Sequence, residues 1–563
     1  NQQVRVRMTP LPVLVALLIA AVAVVHFAAG VKTRLSTGMT GFDSTWYHGP
    51  FAAGFFQTGD TWDLHFIAPQ FLAWFYPANA EIFHAAGILA FDRDILSPLL
   101  NLGWFVGCLV ACWCIGRPYG VAPWSLALGA ISLSVPALAD QAGEARNDIV
   151  GIFFLLTAVA IVLNGDRDLR TALVAGLAAG LAAGTKLNFL MPAAVLIVGL
   201  VVISPRGARL RTLGVSSLAA LAAGGYWYLR NLVHSGNPLP WIDNLGPISL
   251  PAPAQGLGGR EAHSVLDYLT DGSVWSDWFL PGLQDGLWFL WPLLIAAALG
   301  ALLLASWSTH GSFQAQADQK EPRDPALAIA GLVGLAAALA WLVAPTSASG
   351  PEGMPRGYES GLRYLAPALV LGLALLPTAP ALRAHAHKVR RTFVPHSGEK
   401  GRRTFSFGLG SVALAALLFV IGIGYPVQRH YLESRYSDPS FTAPGLNAAF
   451  AWARDVSNAR IATTSTRQYP LYGTDLSNQV EYIGLERPHG GFEAPTTCPD
   501  YRRLLNEGDY DYVITTRDRL EPGKPPYPPS AQWTEDPGAH IILKEPPTVV
   551  FELTGKLDPS ACS

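Results

Sequence analysis

The residue with the clearest capacity for chemistry in this sequence is Asp43, which follows the first long apolar segment in the stretch GFDSTWYHGP. Its neighbours Phe42, Trp46 and Tyr47 are aromatic, and apolar surroundings raise the pKa of a carboxyl group and exclude competing water. A general base at a membrane surface uses both effects. Tyr47 and His48 are the nearest candidates to contact a substrate. The alternative is that Asp43 is a helix N-cap, because Asp-Ser-Thr precedes an amphipathic run.

A second group of ionisable residues occurs in DQAGEARNDIVGIFF, directly before another apolar segment. Glu144, Arg146 and Asp148 would all lie at one end of a membrane helix, where a charge is costly to bury. Two interpretations remain open. Either Arg146 pairs with Glu144 or Asp148 as a structural ion pair, or these side chains face a watery cavity that accepts a charged substrate.

Three further cations stand at the ends of apolar segments, namely Lys186 in AAGTKLNFLMP, Arg230 in YWYLRNLVHSG and Arg363 in ESGLRYLAP. Each one could simply extend towards the lipid headgroups, as long basic side chains do at helix ends. Their convergence on one side of the membrane favours a second interpretation. A lipid-linked phosphate needs cations at headgroup level, and Arg offers a bidentate fork where Lys offers a point charge.

The elements that position these residues are predicted to be membrane helices. The chain has 563 residues, of which 50% are apolar and only 14% charged, and its mean hydropathy is +0.29. These values indicate an integral membrane protein surrounded by lipid, and they exclude disordered, fibrous and nucleic-acid-binding classes. About eleven segments have the apolar length that a spanning helix needs; they lie near 11–30, 95–115, 122–139, 149–163, 171–185, 189–203, 212–229, 286–306, 326–344, 363–382 and 405–425.

The distribution of basic residues predicts which loops face which side. If the N-terminus is cytoplasmic, the short basic pieces such as SPRGARLR all fall inside, as the positive-inside rule requires. The loop with Asp43 and the segment from 426 onwards then lie outside. The strong Ala, Arg and Gly usage suggests a bacterial origin, and hence a multi-pass protein of the plasma (inner) membrane.

The chain after residue 425 changes in character, which predicts a membrane module at 1–425 and an extracytoplasmic α/β domain at 426–563. Alternating segments such as ARIATTS, YDYVITT, HIILKE and TVVFEL predict strands, and GLNAAFAWARDVSNA predicts a helix. Cys498 and Cys562 both fall in this domain, where oxidation is permitted. The sequence leaves open whether they form a disulfide.

Five segments, in order, resemble the GT-C superfamily of membrane glycosyltransferases, and most of all its bacterial family 39-like members. They are GFDSTWYHGPFAAGFFQTG, GEARNDIVGIFFLLTAVA, GLAAGTKLNFLMPAAV, YWYLRNLVHSGNPLPW and GLRYLAPALV. The resemblance implies a polytopic α-helical protein that transfers a sugar, with inversion, from a polyprenyl-phosphate carrier to an extracytoplasmic lipid, glycan or protein acceptor.

The same resemblance implies roles for individual residues. Asp43 matches the acidic residue of the first outer loop that acts as general base, and Lys186, Arg230 and Arg363, together with Arg146, match the basic residues that bind the carrier phosphate. Protein mannosyltransferases often have an acidic pair in this loop, whereas Asp43 is followed by Ser44 here. A divalent metal cofactor and a protein acceptor are therefore left open.

Three other functions compete with this interpretation. A glycan ligase or polymerase would share the topology but use a polyprenyl-pyrophosphate oligosaccharide as donor. A lipid or solute transporter would place charges at mid-span and use broken helices in pairs. In a non-catalytic receptor or scaffold, Asp43 would be a cap and the C-terminal domain would bind the partner.

Overall fold

The structure, a computed structural model, describes residues 10–255, 261–307, 324–380, 382, 427, 429–517, 520 and 523–562. Helices make up most of the chain before residue 380. Their bounds are α1 Pro10–Thr37, α2 Gly49–Thr58, α3 Asn79–Phe91, α4 Ser97–Gly116, α5 Ala122–Leu133, α6 Pro136–Ala139, α7 Asp148–Asn164, α8 Leu169–Ala183, α9 Leu190–Ile203, α10 Arg209–Ser235, α11 Gly272–Val274, α12 Leu280–Leu287, α13 Trp291–Ser306, α14 Pro325–Val343, α15 Tyr358–Gly361 and α16 Ala366–Leu375.

The predicted apolar segments coincide with helices wherever the structure describes them. The segment 405–425 lies outside the described residues, so the count of eleven stays a prediction. Judged by length and composition, the described residues contain three helices that could each cross a membrane, namely Leu11–Thr37, Ser97–Tyr119 and Pro325–Val343. The number rises to five if Gly272–Leu287 with Trp291–Ser306, and Tyr358–Tyr364 with Ala366–Thr378, each form one bent span.

Small residues let α8 and α10 pack with their backbones close together. A methyl group at Gly176 would lie 2.5 Å from the carbonyl oxygen of Ser216, and one at Gly224 would overlap the carbonyl of Gly180. Close backbone approach through small residues is a common way for membrane helices to associate. The small-residue segments in this part of the sequence therefore make a helix contact.

The C-terminal part is an α/β unit built on a five-stranded sheet. The strands of the chain are β1 Asn244–Leu245, β2 Ile248–Ser249, β3 Arg460–Thr463, β4 Gln479–Tyr482, β5 Leu485–Arg487, β6 Gly491–Glu493, β7 Tyr512–Thr515, β8 Ala539–Glu545 and β9 Thr548–Leu553. The main sheet has the order β4-β3-β7-β9-β8, in which β3 is parallel to β4 and β7, and β9 is antiparallel to β7 and β8. The β1–β2 and β5–β6 pairs are separate antiparallel ribbons.

The predicted strands β3, β7, β8 and β9 are all present, and so is the predicted helix, which spans Pro444–Ala453. Two more helices, Cys498–Gly508 and Pro529–Thr534, cover the sheet. Cys498 and Cys562 form a disulfide, which settles the question that the sequence left open. The proposed boundary at 425/426 falls outside the described residues and stays a prediction.

This C-terminal domain packs against α2 and the segment that follows it. The Gln57 side-chain amide donates to the carbonyls of Leu476 and Asn478 at 2.6 and 2.8 Å, and the Trp74 indole donates to the carbonyl of Gly490 at 2.9 Å. The domain therefore lies at the same end of the helical module as Asp43. The side of the membrane on which that end lies remains a prediction.

Candidate active site

A cavity of about 850 Å³ opens between the loop after α1 and the ends of several membrane helices. One wall is aromatic and is formed by Phe42, Trp46 and Tyr47 together with side chains from later loops. Another wall is apolar and belongs to the start of α9 and the end of α14. The charged residues that line the cavity are Asp43, Arg146, Lys186, Glu261, Arg356 and Arg363.

Asp43 and Arg363 meet across this cavity. The Arg363 Nη1 lies 2.5 Å from Asp43 Oδ2, and the two side chains are only 10% and 13% exposed. Asp43 directly precedes the short helical turn Ser44–His48, but its side chain makes no capping hydrogen bond there. The N-cap interpretation of Asp43 is therefore wrong, because the carboxylate points to a cation instead of to the backbone of its own helix.

Asp148, the first residue of α7, links two of the predicted cations. Its Oδ1 lies 2.6 Å from Lys186 Nζ and its Oδ2 lies 3.8 Å from Arg363 Nε, while its side chain is 1% exposed. Tyr364 lies beside the same two cations, with its ring centre 4.7 Å from Lys186 Nζ and 5.2 Å from Arg363 Cζ. Asp148 is thus a buried counter-charge to both cations and lies outside the cavity lining, so the structure does not place it in the predicted substrate site.

Arg146 lines the cavity but pairs with neither of the residues that the sequence suggested. Its Nη1 donates to Asp140 Oδ2 at 2.7 Å. Glu144 is fully buried beside the loop that follows α1, where its Oε1 lies 2.8 Å from Arg34 Nε. Glu144 lies outside the cavity lining, so the structure does not place it in the predicted substrate site.

His48 and Arg230 are also held away from the cavity. His48 is buried and its Nδ1 pairs with Glu81 Oε1. Arg230 is 2% exposed; its Nη2 donates to the carbonyl of Trp74 at 2.6 Å, and its Cζ lies 4.9 Å from the Trp227 ring centre. The structure therefore does not place His48 or Arg230 in the predicted substrate and phosphate site, because neither side chain lines the cavity and each is bound by local partners.

The cations around Asp43 decide its protonation state. Burial by itself raises the pKa of this carboxyl, but the charges of Arg363, Arg146 and Lys186 outweigh that effect and hold the pKa well below its usual range. The expectation of a raised pKa is therefore wrong. Asp43 is a carboxylate in the resting protein, since a nearby cation favours the charged form.

Several residues of the cavity lining have no counterpart in the sequence analysis, among them the charged residues Glu261 and Arg356 and the amide Asn188. Arg356 is exposed and lines the cavity from the loop before α15. Neither the nitrogen nor the oxygen of the Asn188 amide has a hydrogen-bond partner among the described residues, although both atoms are buried. The signal for Arg356 was its place between the predicted apolar segments 326–344 and 363–382, whereas nothing in the sequence distinguishes Asn188.

The sequence analysis left open whether the protein uses a divalent metal cofactor. Within the part of the chain that the structure describes, no three His, Cys, Asp or Glu side chains converge as metal ligands would.

The arrangement of a helical membrane module followed by a small α/β domain is shared with solved structures. The chain is similar to ArnT from Cupriavidus metallidurans bound to undecaprenyl phosphate, with a TM-score of 0.53 and 15% identity over 95% of this chain and 97% of that one. Its similarity to ArnT from the same organism in the apo state has a TM-score of 0.53 and 16% identity over 96% and 98%.

The resemblance to GT-C glycosyltransferases is therefore confirmed at the level of the fold. No protein-family model matches the sequence. No curated protein matches it either.

Proposed function

We propose that this protein is a membrane glycosyltransferase that moves a sugar from a polyprenyl-phosphate carrier to an acceptor hydroxyl, with inversion at the anomeric carbon. The structure whose fold it shares binds undecaprenyl phosphate, which supports a carrier of that class. The observation that carries the proposal is the meeting of one carboxylate, Asp43, with the guanidinium of Arg363 in the wall of a single cavity.

The cations of the cavity suit a phosphate with one lipid and one sugar substituent. Arg363, Lys186 and Arg146 all line the cavity, and their charges converge on the carboxyl of Asp43. Arginine and lysine form the strongest hydrogen bonds to phosphate oxygens. As the glycosidic bond breaks, negative charge grows on the leaving phosphate, so cations fixed at this place stabilise the transition state.

The carrier lipid has a suitable wall beside these cations. Residues at the start of α9 and the end of α14 are apolar and line the cavity; they are Leu190, Met191, Ala340 and Val343. Such a surface can hold the first isoprene units while the rest of the chain stays in the bilayer. The aromatic wall opposite it, including Tyr47, suits the apolar face of a sugar ring.

Asp43 is the proposed general base. It removes the proton from the acceptor hydroxyl as that oxygen attacks the anomeric carbon, and the bond from this carbon to the carrier phosphate breaks on the opposite face. In the resting structure the Arg363 guanidinium is paired with the Asp43 carboxylate. The donor phosphate must therefore draw this guanidinium away before the carboxylate can accept a proton. An acceptor oxygen held about 3 Å from the anomeric carbon would supply much of the acceleration.

The proposal is tested with the full chain in lipid nanodiscs. Undecaprenyl-phosphate-linked radiolabelled hexoses and pentoses serve as donors, and extracts of envelope lipids and glycans serve as acceptors. We expect release of undecaprenyl phosphate from at least one donor, and a fall in kcat of about 10² to 10⁴-fold in Asp43→Asn. Asp63→Asn is the control, because Asp63 is an exposed carboxylate in the same loop region.

Two results would overturn the proposal. One is an Asp43→Asn variant that retains a tenth or more of the wild-type rate. The other is turnover only with undecaprenyl-pyrophosphate oligosaccharides, which would identify a glycan ligase or polymerase.

A further inference from the structure

The C-terminal domain binds both ends of the loop that carries Asp43. The Ser437 backbone N–H donates to the carbonyl of Thr37 at 3.2 Å, and the Gln468 N–H donates to the carbonyl of Thr45 at 2.9 Å. Between these points the Arg467 Nη1 donates to the carbonyl of Thr40, also at 3.2 Å. Three carbonyls around Asp43 therefore have donors that come from beyond the membrane module.

The backbone N–H groups of the same loop are bound by a residue of the membrane module. Thr40 and Gly41 both donate to Glu144 Oε1, at 3.2 and 2.9 Å, and Glu144 belongs to the segment before α7. The loop thus lies between an acceptor of the membrane module and donors of the C-terminal domain. Removing either set would leave backbone groups without partners, which costs free energy in a buried place.

Arg467 also reaches the wall of the cavity. Its Cζ lies 5.6 Å from the ring centre of Phe42, the residue that precedes Asp43 and lines the cavity, and 4.7 Å from the ring centre of Phe441. A guanidinium stacked between two aromatic rings is restricted in direction. Its contact with Phe42 therefore helps to fix the backbone that leads into Asp43.

The segment that contains Arg467 is itself fixed against the membrane module. A side chain at Gly49 would meet the Tyr469 ring at 2.5 Å, so these two elements are in close contact. The Tyr469 hydroxyl donates to Asp94 Oδ2 at 2.5 Å, and both side chains are buried. Residues 467–469 are consequently packed against the membrane module and do not form a free edge of the domain.

We infer that Arg467, with the Gln468 backbone, positions the Asp43 loop, so that the C-terminal domain sets the geometry of the general base. The inference rests on the proposed function. A general base works only within hydrogen-bond distance of its proton, and a misplacement of about 1 Å can cost roughly 10²-fold in rate. Arg467 lies outside the cavity lining, so we assign it positioning and not substrate contact.

The test compares Arg467→Met with Arg467→Lys and with the control Arg487→Met. Arg487 belongs to the same domain, but it is half exposed and pairs with Glu493 at 3.0 Å, away from the cavity. For each variant kcat and the donor KM are measured in nanodiscs, and the rate is expressed per site that binds radiolabelled undecaprenyl phosphate. This normalisation removes any effect of misfolded protein.

We expect Arg467→Met to lower kcat about 10- to 100-fold at an unchanged donor KM. Arg467→Lys should recover part of the loss, since an ammonium can still donate to Thr40, and Arg487→Met should match the wild type. A wild-type kcat per binding site in Arg467→Met, with Asp43→Asn inactive, would overturn the inference and leave the proposed function intact. A loss of binding sites that accounts for all lost activity would also overturn it. An active Asp43→Asn would instead reject the proposed function.

Discussion

The Arg363 guanidinium lies 2.5 Å from the Asp43 carboxylate, so in the resting structure the proposed base is bound to the cation that should bind the donor phosphate. While the Asp43 carboxylate is paired with Arg363 it is a poor proton acceptor, because the ion pair favours its charged form. Donor binding and activation of the base are therefore coupled through one side chain.

The first prediction concerns affinity for the carrier. Replacing Asp43 with Asn frees Arg363 and removes a negative charge from the cavity, so undecaprenyl phosphate should bind several-fold more tightly while transfer is lost. Titration of the carrier into nanodisc-embedded protein measures this change, with Asp63→Asn as control. Weaker binding by Asp43→Asn would show that Asp43 supports the donor site instead of competing for it.

The second prediction separates the roles of Lys186 and Arg230. Lys186 lines the cavity, whereas Arg230 donates to backbone carbonyls outside it. Lys186→Met should weaken undecaprenyl phosphate binding about tenfold, the equivalent of about 1.4 kcal/mol and typical of one charge-assisted hydrogen bond. Arg230→Met should lower the thermal unfolding temperature yet leave the Kd unchanged. Equal losses of affinity in the two variants would contradict this assignment.

The third prediction concerns pH. The cations hold the pKa of Asp43 below its usual range, so its carboxylate persists at neutral and mildly acidic pH, and kcat/KM should fall only below about pH 4. Arg146→Gln removes one of these charges. The pKa of Asp43 then rises, so a larger fraction of this carboxyl is protonated at a given pH. The acidic limb of the plot of kcat/KM against pH therefore moves to higher pH. If the acidic limb does not move in Arg146→Gln, a group other than Asp43 controls it. Arg487→Gln is the matched control.

The fourth prediction tests the packing of α8 on α10. A methyl group at Gly224 meets the backbone of Gly180, whereas a methyl group at Gly214, on the same helix, meets no atom within 4 Å. Gly224→Ala should lower the free energy of unfolding by about 1–3 kcal/mol. Gly214→Ala should leave it unchanged or raise it by about 0.5–1 kcal/mol, because Ala is the better helix former. The free energy of unfolding of both variants is measured in detergent. Equal changes in the two variants would contradict the close contact between α8 and α10.

Much of the fold follows from local pattern. Runs of apolar residues identified the described membrane helices, and alternating residues identified four strands of the C-terminal sheet, because each pattern matches the period of one element. Helix α3, Asn79–Phe91, was missed because its 13 residues are fewer than the apolar length by which spanning helices were identified. Strand β4 was missed because it has only four residues, of which Val480 alone is buried, at the edge of the sheet.

The sequence by itself determined that this is a membrane protein, where its long apolar helices lie, and that Asp43 and several cations stand at helix ends. It could not determine which cation faces which carboxylate. Arg363 and Lys186 reach the cavity, whereas Arg230 binds backbone carbonyls and Glu144 binds Arg34. Hydropathy depends on neighbours along the chain, but a buried charge takes whichever partner the packed helices bring within reach. That choice is made only in three dimensions.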